Sequence, residues 1–165
     1  MGTKGKQQKL PDRVEREAIS VRDRLIELDK EQPLAVLATE SDGQPYTSLI
    51  AYALTPDAEG VVFLTPRSTR KYRNIRKNEN VALLIDSRKN RPEDYLSADS
   101  ISILGKAYPM RKSEKRSSLE TIITKKHPVL RKIMDSPETA LILVKIHLCI
   151  HVTGFQRVSV WEVRS

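Results

Sequence analysis

The chain has 165 residues, 39% of them hydrophobic and 30% charged; this fits one domain able to bury roughly 70% of its unfolded surface. No run approaches the ~18 apolar residues of a membrane-spanning helix, which sets that class aside. The net charge of +8 draws phosphate-rich partners in general, but no aromatic residues interleave the basic runs and no helix-turn-helix or zinc-finger spacing occurs, so nucleic acid is not the expected partner.

Residues 1–11, rich in Lys, Gln and Gly, read as a disordered basic tail. With no apolar stretch after this basic start, no export signal is expected and a cytoplasmic location is the default. Residues 12–165 read as a single domain. From Asp12 to Glu31 the apolar positions recur at helical spacing, with Ser20 and Asp23 offering a capping restart. Pro33 stops this helix. Leu34 to Thr39 then has strand length, Ser41-Asp42-Gly43 is a turn, and Tyr46 to Leu54 is the return strand. After the turn Pro56 to Gly60, Val61 to Leu64 is a third strand. Ser68 to Lys77 reads as a helix capped by Ser68 or Thr69. Val81 to Ile85 is a fourth strand, a polar loop runs through Pro92, and Ser100 to Tyr108 is a fifth. Ser113 caps a helix over Glu114 to Lys126, a short helix follows Pro128, and Leu141 to Val152 and Val158 to Val163 are strands rich in Val and Ile. Six or seven strands with hairpin-length connections and two or three helices predict a mainly β fold, an antiparallel barrel rather than a parallel sheet.

Catalytic motifs are absent: there is no Gly-x-Ser-x-Gly elbow, Walker loop or Gly-x-Gly-x-x-Gly turn. His147 and His151, four apart on a strand, are expected to share one face, which would allow a metal or haem role; without a third ligand nearby, structural imidazoles are the expectation. Cys149, the one cysteine, reads as a buried structural thiol. Chemistry must then come from a cofactor. The corner Thr65-Pro66-Arg67-Ser68-Thr69-Arg70-Lys71 is where one could sit. A helix start presents unpaired N–H groups and partial positive charge, so an anion belongs there. Read alone, the corner could equally be a solvated, capped helix. Basic residues at a helix start oppose its dipole unless an anion is present, which favours a phosphate site.

The segment Gly43-Gln44-Pro45-Tyr46, then Gly60-Val61-Val62-Phe63-Leu64-Thr65, Thr69-Arg70-Lys71 and Asn78-Glu79-Asn80-Val81-Ala82-Leu83-Leu84, in that order, resembles the pyridoxamine 5′-phosphate oxidase superfamily, most clearly from Pro33 to Asp86. The stretches Ser48 to Ala53 and Arg73-Asn74-Ile75 also look like its split-barrel haem-utilisation branch. The resemblance implies a homodimeric split β-barrel with FMN at the subunit interface, its phosphate held by Arg70 and Lys71. It places Leu64, Thr65 and Thr69 against the cofactor, and has Ser48, Leu49, Ile50, Ala51, Tyr52 and Ala53 line flavin ring and phosphate. Ser100 and Trp161 fall where the partner subunit reaches the ring. Two departures stand out: Ser48 replaces an arginine of the oxidase and Ala53 a phosphate-binding lysine. The chain ends at Val163-Arg164-Ser165 without the Arg-Leu-x-x-Arg segment that grips pyridoxal phosphate, so vitamin B6 oxidation is not expected. The function implied is an FMN-dependent oxidoreductase acting on a small molecule; the alternatives are a non-catalytic flavin-binding or electron-carrying module, or a haem-binding split-barrel protein.

Overall fold

The computed structural model describes residues 19–154 and 157–163; the expected tail and the first part of the helix from Asp12 lie outside them. Helix α1, Val21–Glu31, starts at the restart read from the sequence: the Ser20 hydroxyl accepts from the Asp23 amide at 3.1 Å and donates to the Asp23 carboxylate at 2.7 Å. Val21, Leu25 and Leu28, spaced four and three apart, form its buried face.

Seven strands follow, all paired antiparallel: β1 Leu34–Ser41, β2 Gln44–Leu54, β3 Gly60–Pro66, β4 Asn80–Asp86, β5 Ser100–Pro109, β6 Thr139–Thr153 and β7 Arg157–Glu162. Their order is β3-β2-β1-β4-β5-β6-β7, and β3 also pairs with β6. That second pairing closes the first six strands into a barrel and leaves β7 as an extra strand. Asp42 and Gly43, both at positive φ (56° and 79°), make the tight β1–β2 turn whose twist suits a hairpin.

Strand β6 serves two neighbours along one edge. Its first half, Thr139 to Lys145, pairs with β3, and its second, from Leu148, pairs with β7. Between them the β5–β6 register slips, so that Leu104 faces Leu148 while Gly105 faces Ile146 and His147 is the extra residue of a bulge. A glycine is required at this slip, because a Cβ on Gly105 would lie 2.5 Å from the Lys145 carbonyl oxygen. The barrel interior is filled by Leu37, Tyr52, Phe63, Leu83, Ile85, Ile101, Ile103 and Ile142, with Cys149 among them. Burial pushes the Cys149 thiol up to about 12, so it stays protonated.

Helix α2, Arg70–Lys77, begins two residues later than the sequence predicts, with Thr69 as its cap. The expected polar loop carries a short helix, α3 Asp94–Ser97, after Pro92. Helix α4, Glu114–Lys126, has the predicted bounds and the Ser113 cap. A 3₁₀ turn over Pro128–Leu130 and the short α5, Arg131–Met134, then lead into β6. Leu119 and Ile123 of α4 cover Ala53, Val62, Leu141 and Leu143 on the outside of the barrel, forming a second apolar cluster.

One polar network ties α1 to the barrel. Arg24 donates Nε and Nη2 to the two Asp99 oxygens at 2.7 and 2.9 Å, and His151 Nε2 lies 2.8 Å from Asp99 Oδ2. Burial works against ionisation of Asp99, but the Arg24 hydrogen bond, supported by Ser87, His151 and the Arg24 charge, holds its carboxyl well below the usual range. A carboxyl held low adds stability that is complete above its unfolded pKa and drains away as pH falls through the folded one. Asp99→Asn is therefore expected to cost about 1–3 kcal/mol at neutral pH and to remove part of the wild type's loss of stability below about pH 4; thermal melts from pH 7 to pH 3 read both effects.

Candidate functional site

The corner after β3 is built from its own hydrogen bonds. The Thr69 hydroxyl accepts from the Tyr72 amide at 3.3 Å and donates to the Pro66 carbonyl at 2.9 Å. Its single proton is then used, so in its 2.9 Å contact with Thr65 the Thr65 hydroxyl is the donor. Arg73 donates to the Ser68 carbonyl, and the Thr69 amide closes the turn on Pro66 at 3.1 Å. On the far side the Arg67 amide donates to Glu138 at 2.7 Å, fastening the corner to the start of β6.

These bonds consume both threonine hydroxyls and leave the backbone of the first helical turn unspent. The amides of Arg70 and Lys71 donate to nothing among the described residues. No acidic residue stands in that turn, and its side chains are the cations Arg70 and Lys71. Unfilled N–H groups, the positive end of a helix and two cations without a facing carboxylate form an anion cradle. Arg70 is exposed but placed, its guanidinium carbon 4.8 Å from the centroid of the Tyr46 ring at the start of β2. Below the cradle, buried Asn74 donates to the Thr39 hydroxyl at 3.0 Å, pinning α2 to β1.

The other residues expected at the site fall into three groups. Strand alternation sends Ile50 and Tyr52 into the barrel, where they are buried, so only their backbone can face a ligand. Leu49 and Ala51 point outward from β2, Leu64 is half-buried, and Thr65 is buried beneath the turn. Ala53 lies under α4. The Ser48 hydroxyl is buried without a hydrogen-bond partner among the described residues, a donor facing no acceptor on β2. Ser100 pairs with Asp86, at the end of β4 away from α2, and Trp161 pairs with Cys149 on the far side of the sheet. The chain therefore brings the cradle to Tyr46 at the start of β2 and leaves Ser100 and Trp161 elsewhere. Tyr46 and Asn74, which contact Arg70 and pin α2 respectively, were not among the residues expected at the site, although both lie in the stretches that carry the family resemblance.

The outer sheet face is apolar. Along one cross-strand line lie Leu49, Val36, Leu84, Ser102, Ile150 and Val160. Leu49, Val160 and the nearby Val158 are 61%, 56% and 60% exposed, a patch spanning six strands.

The histidines do not share a face as expected. The bulge at His147 shifts the alternation of β6, leaving His147 exposed and His151 buried against Asp99. His127 Nε2 lies 2.8 Å from the Tyr52 carbonyl. Among the described residues no cluster of three His, Cys, Asp or Glu could hold a metal, and no helix is long and apolar enough to cross a membrane.

The family described as pyridoxamine 5′-phosphate oxidase matches residues 21–152. No curated protein matches the sequence. Among solved structures, a heme binding protein from Mycobacterium smegmatis superposes with TM-score 0.78 at 14% identity, over 87% of this chain and 58% of its own. ChuZ from Campylobacter jejuni gives 0.74 at 16%, over 86% and 59%. This chain thus spans less than two thirds of the length of either. A FAD-binding protein from Mesorhizobium loti gives 0.59 at 17%, over 86% and 94%. At such identities the likeness is one of fold.

The cap itself is testable. Thr69→Ala should cost about 1 kcal/mol of stability through loss of the cap and leave the buried Thr65 hydroxyl without its acceptor; thermal or denaturant unfolding measures it.

Proposed function

The chain belongs to the pyridoxamine 5′-phosphate oxidase family, and on that premise we propose that it is an FMN-binding oxidoreductase that works as a homodimer with two flavins at its subunit interface. The observation that carries the reading is the first turn of α2, where two cations and two undonated amides face outward with no carboxylate to meet them. A flavin phosphate supplies the missing acceptor, with Arg70 able to engage two oxygens as a fork and Lys71 adding a point charge. The self-bonded threonine turn holds these groups in place before any ligand arrives, so little ordering accompanies binding. Bound FMN would supply hydride and electron transfer, while the chain contributes orientation and charge.

Leu49 and Ala51 offer apolar surface on the outer face of β2 on which a flavin ring can lie, whereas the orphaned Ser48 hydroxyl is on the face shared with Ile50 and Tyr52. With alanine at position 53 under α4, the grip on phosphate falls on Arg70 and Lys71. The exposed apolar face of Leu49, Val158 and Val160 supports a second copy packing there. In that arrangement Ser100 and Trp161 act on the partner's flavin. A small molecule is the expected substrate.

Two measurements test this reading. Protein as purified should be yellow with near-stoichiometric FMN, and Arg70→Ala with Lys71→Ala should release it, each losing a charge-assisted contact of about 1.5–3 kcal/mol; unchanged flavin content in the double variant refutes the site. Bleaching of the flavin by NAD(P)H marks an enzyme, whereas flavin that stays oxidised with every reductant marks a binding module. Separately, Leu49→Asp with Val160→Asp should convert a dimer to a monomer in analytical ultracentrifugation, since each buries a charge in the apolar face.

A further inference from the structure

A cleft of about 740 Å³ lies on the other flank of α2, between that helix, the end of β5, the start of α4 and the turn entering β6. At roughly 100° per residue, Tyr72 and Arg76, which line the cleft, stand on the opposite side of the helix from Arg70. The cleft thus opens on a different face of α2 from the flavin cradle: Arg67 lines it, and neither Arg70 nor Lys71 does.

Its electrostatics are one-sided. Arg67, Arg76, Arg111, Lys112 and Arg116 converge on it, against Glu120 and Asp135. Arg116 and Glu120 satisfy each other at 2.7 Å, leaving four cations and one carboxylate. The side chains of Arg76, Arg111 and Lys112 have no hydrogen-bond or ion-pair partner among the described residues. Arg67 is already positioned, donating Nη1 to the Tyr72 hydroxyl at 2.7 Å and Nε to the Pro137 carbonyl at 3.2 Å. Four like charges around one concavity repel one another unless an anion joins them, and such a concavity focuses the field on what enters it. The remaining wall mixes Pro109, Met110, Met134 and Tyr72 with the hydroxyl side chains of Ser113, Ser117, Ser136 and Thr139. A polyanion with a flat apolar part fits both surfaces, and the volume is that of a small-molecule site.

We propose that this cleft is a second anion site that takes a nucleoside diphosphate group, its phosphates on Arg76, Arg111 and Lys112 and its base against Met110, Met134 and Tyr72. The site stands on its own charges and does not depend on what fills the cradle.

The test is isothermal titration of the full chain with ADP and, separately, with pyrophosphate, in excess FMN so that the cradle is occupied. The expected result is one saturable ADP site per chain, weakened at least tenfold by Arg76→Gln with Arg111→Gln and unchanged in Arg70→Ala with Lys71→Ala. These exposed substitutions leave the fold intact, which thermal melting verifies. Absence of saturable ADP binding at millimolar concentration overturns the proposal, as does weakening confined to the Arg70/Lys71 variant. Pyrophosphate binding as tight as ADP overturns the nucleoside assignment, and retention of a single-stranded oligonucleotide without ADP binding overturns it in favour of a nucleic-acid surface. FMN content, read by absorbance in each sample, keeps failure of the flavin reading distinct from failure of this one.

Discussion

The pairing of β3 with the first half of β6 is the constraint on which the rest of the molecule depends. It converts a meander into a closed barrel and fixes where β3 ends, from Gly60 against Lys145 to Pro66 against Thr139. The chain must leave the sheet at Pro66, which has no amide to continue a ladder, and it turns at once into α2. The same pairing requires β6 to change partner near residue 146, and the slip there is possible only because Gly105 has no side chain to strike the Lys145 carbonyl. Closure, corner and bulge are three consequences of one strand with more neighbours than an edge allows.

The two charged flanks of α2 follow from how little of that helix is buried. Only Asn74 and Ile75 are buried, with Tyr72 half-buried against the core, so most of its surface is free to carry cations without a desolvation penalty. Their concentration is unfavourable for the isolated helix at its N-terminus, where they oppose the dipole, and favourable at its end, where Arg76 and Lys77 complement it. The helix is therefore electrostatically mismatched at one end only, the end that abuts the cradle.

Much of this architecture was legible in the sequence. Strands β1 to β6 carry alternation or short apolar runs bounded by turn residues, and each was located to within a few residues; the start of α4 was located to the residue because Ser113 caps it. The corner was legible for the same reason, since Thr69 caps and Arg70-Lys71 contradict the dipole. What escaped was set by tertiary geometry. A spacing of four on a strand puts two histidines on one face only if the strand is regular, and the bulge that parts His147 from His151 is dictated by the β3–β6–β7 exchange, which no local pattern encodes. Tyr46 under Arg70, and Asn74 on Thr39, join segments 24 and 35 residues apart. The convergence of Arg67, Arg76 and Arg111 on one cleft likewise needs the barrel to close first.

Cys149 has a practical consequence. It is the chain's one cysteine, fully enclosed in the barrel and held protonated by its apolar surroundings. Only the thiolate reacts appreciably with alkylating or oxidising reagents, so the native barrel shields this sulfur both sterically and chemically. A thiol reagent can modify the protein only in molecules whose barrel has parted, and the labelling rate becomes a clock for that opening. Because the sulfur lies on β6, opposite Ile103 and Trp161, the clock reports on the strand that holds the barrel shut.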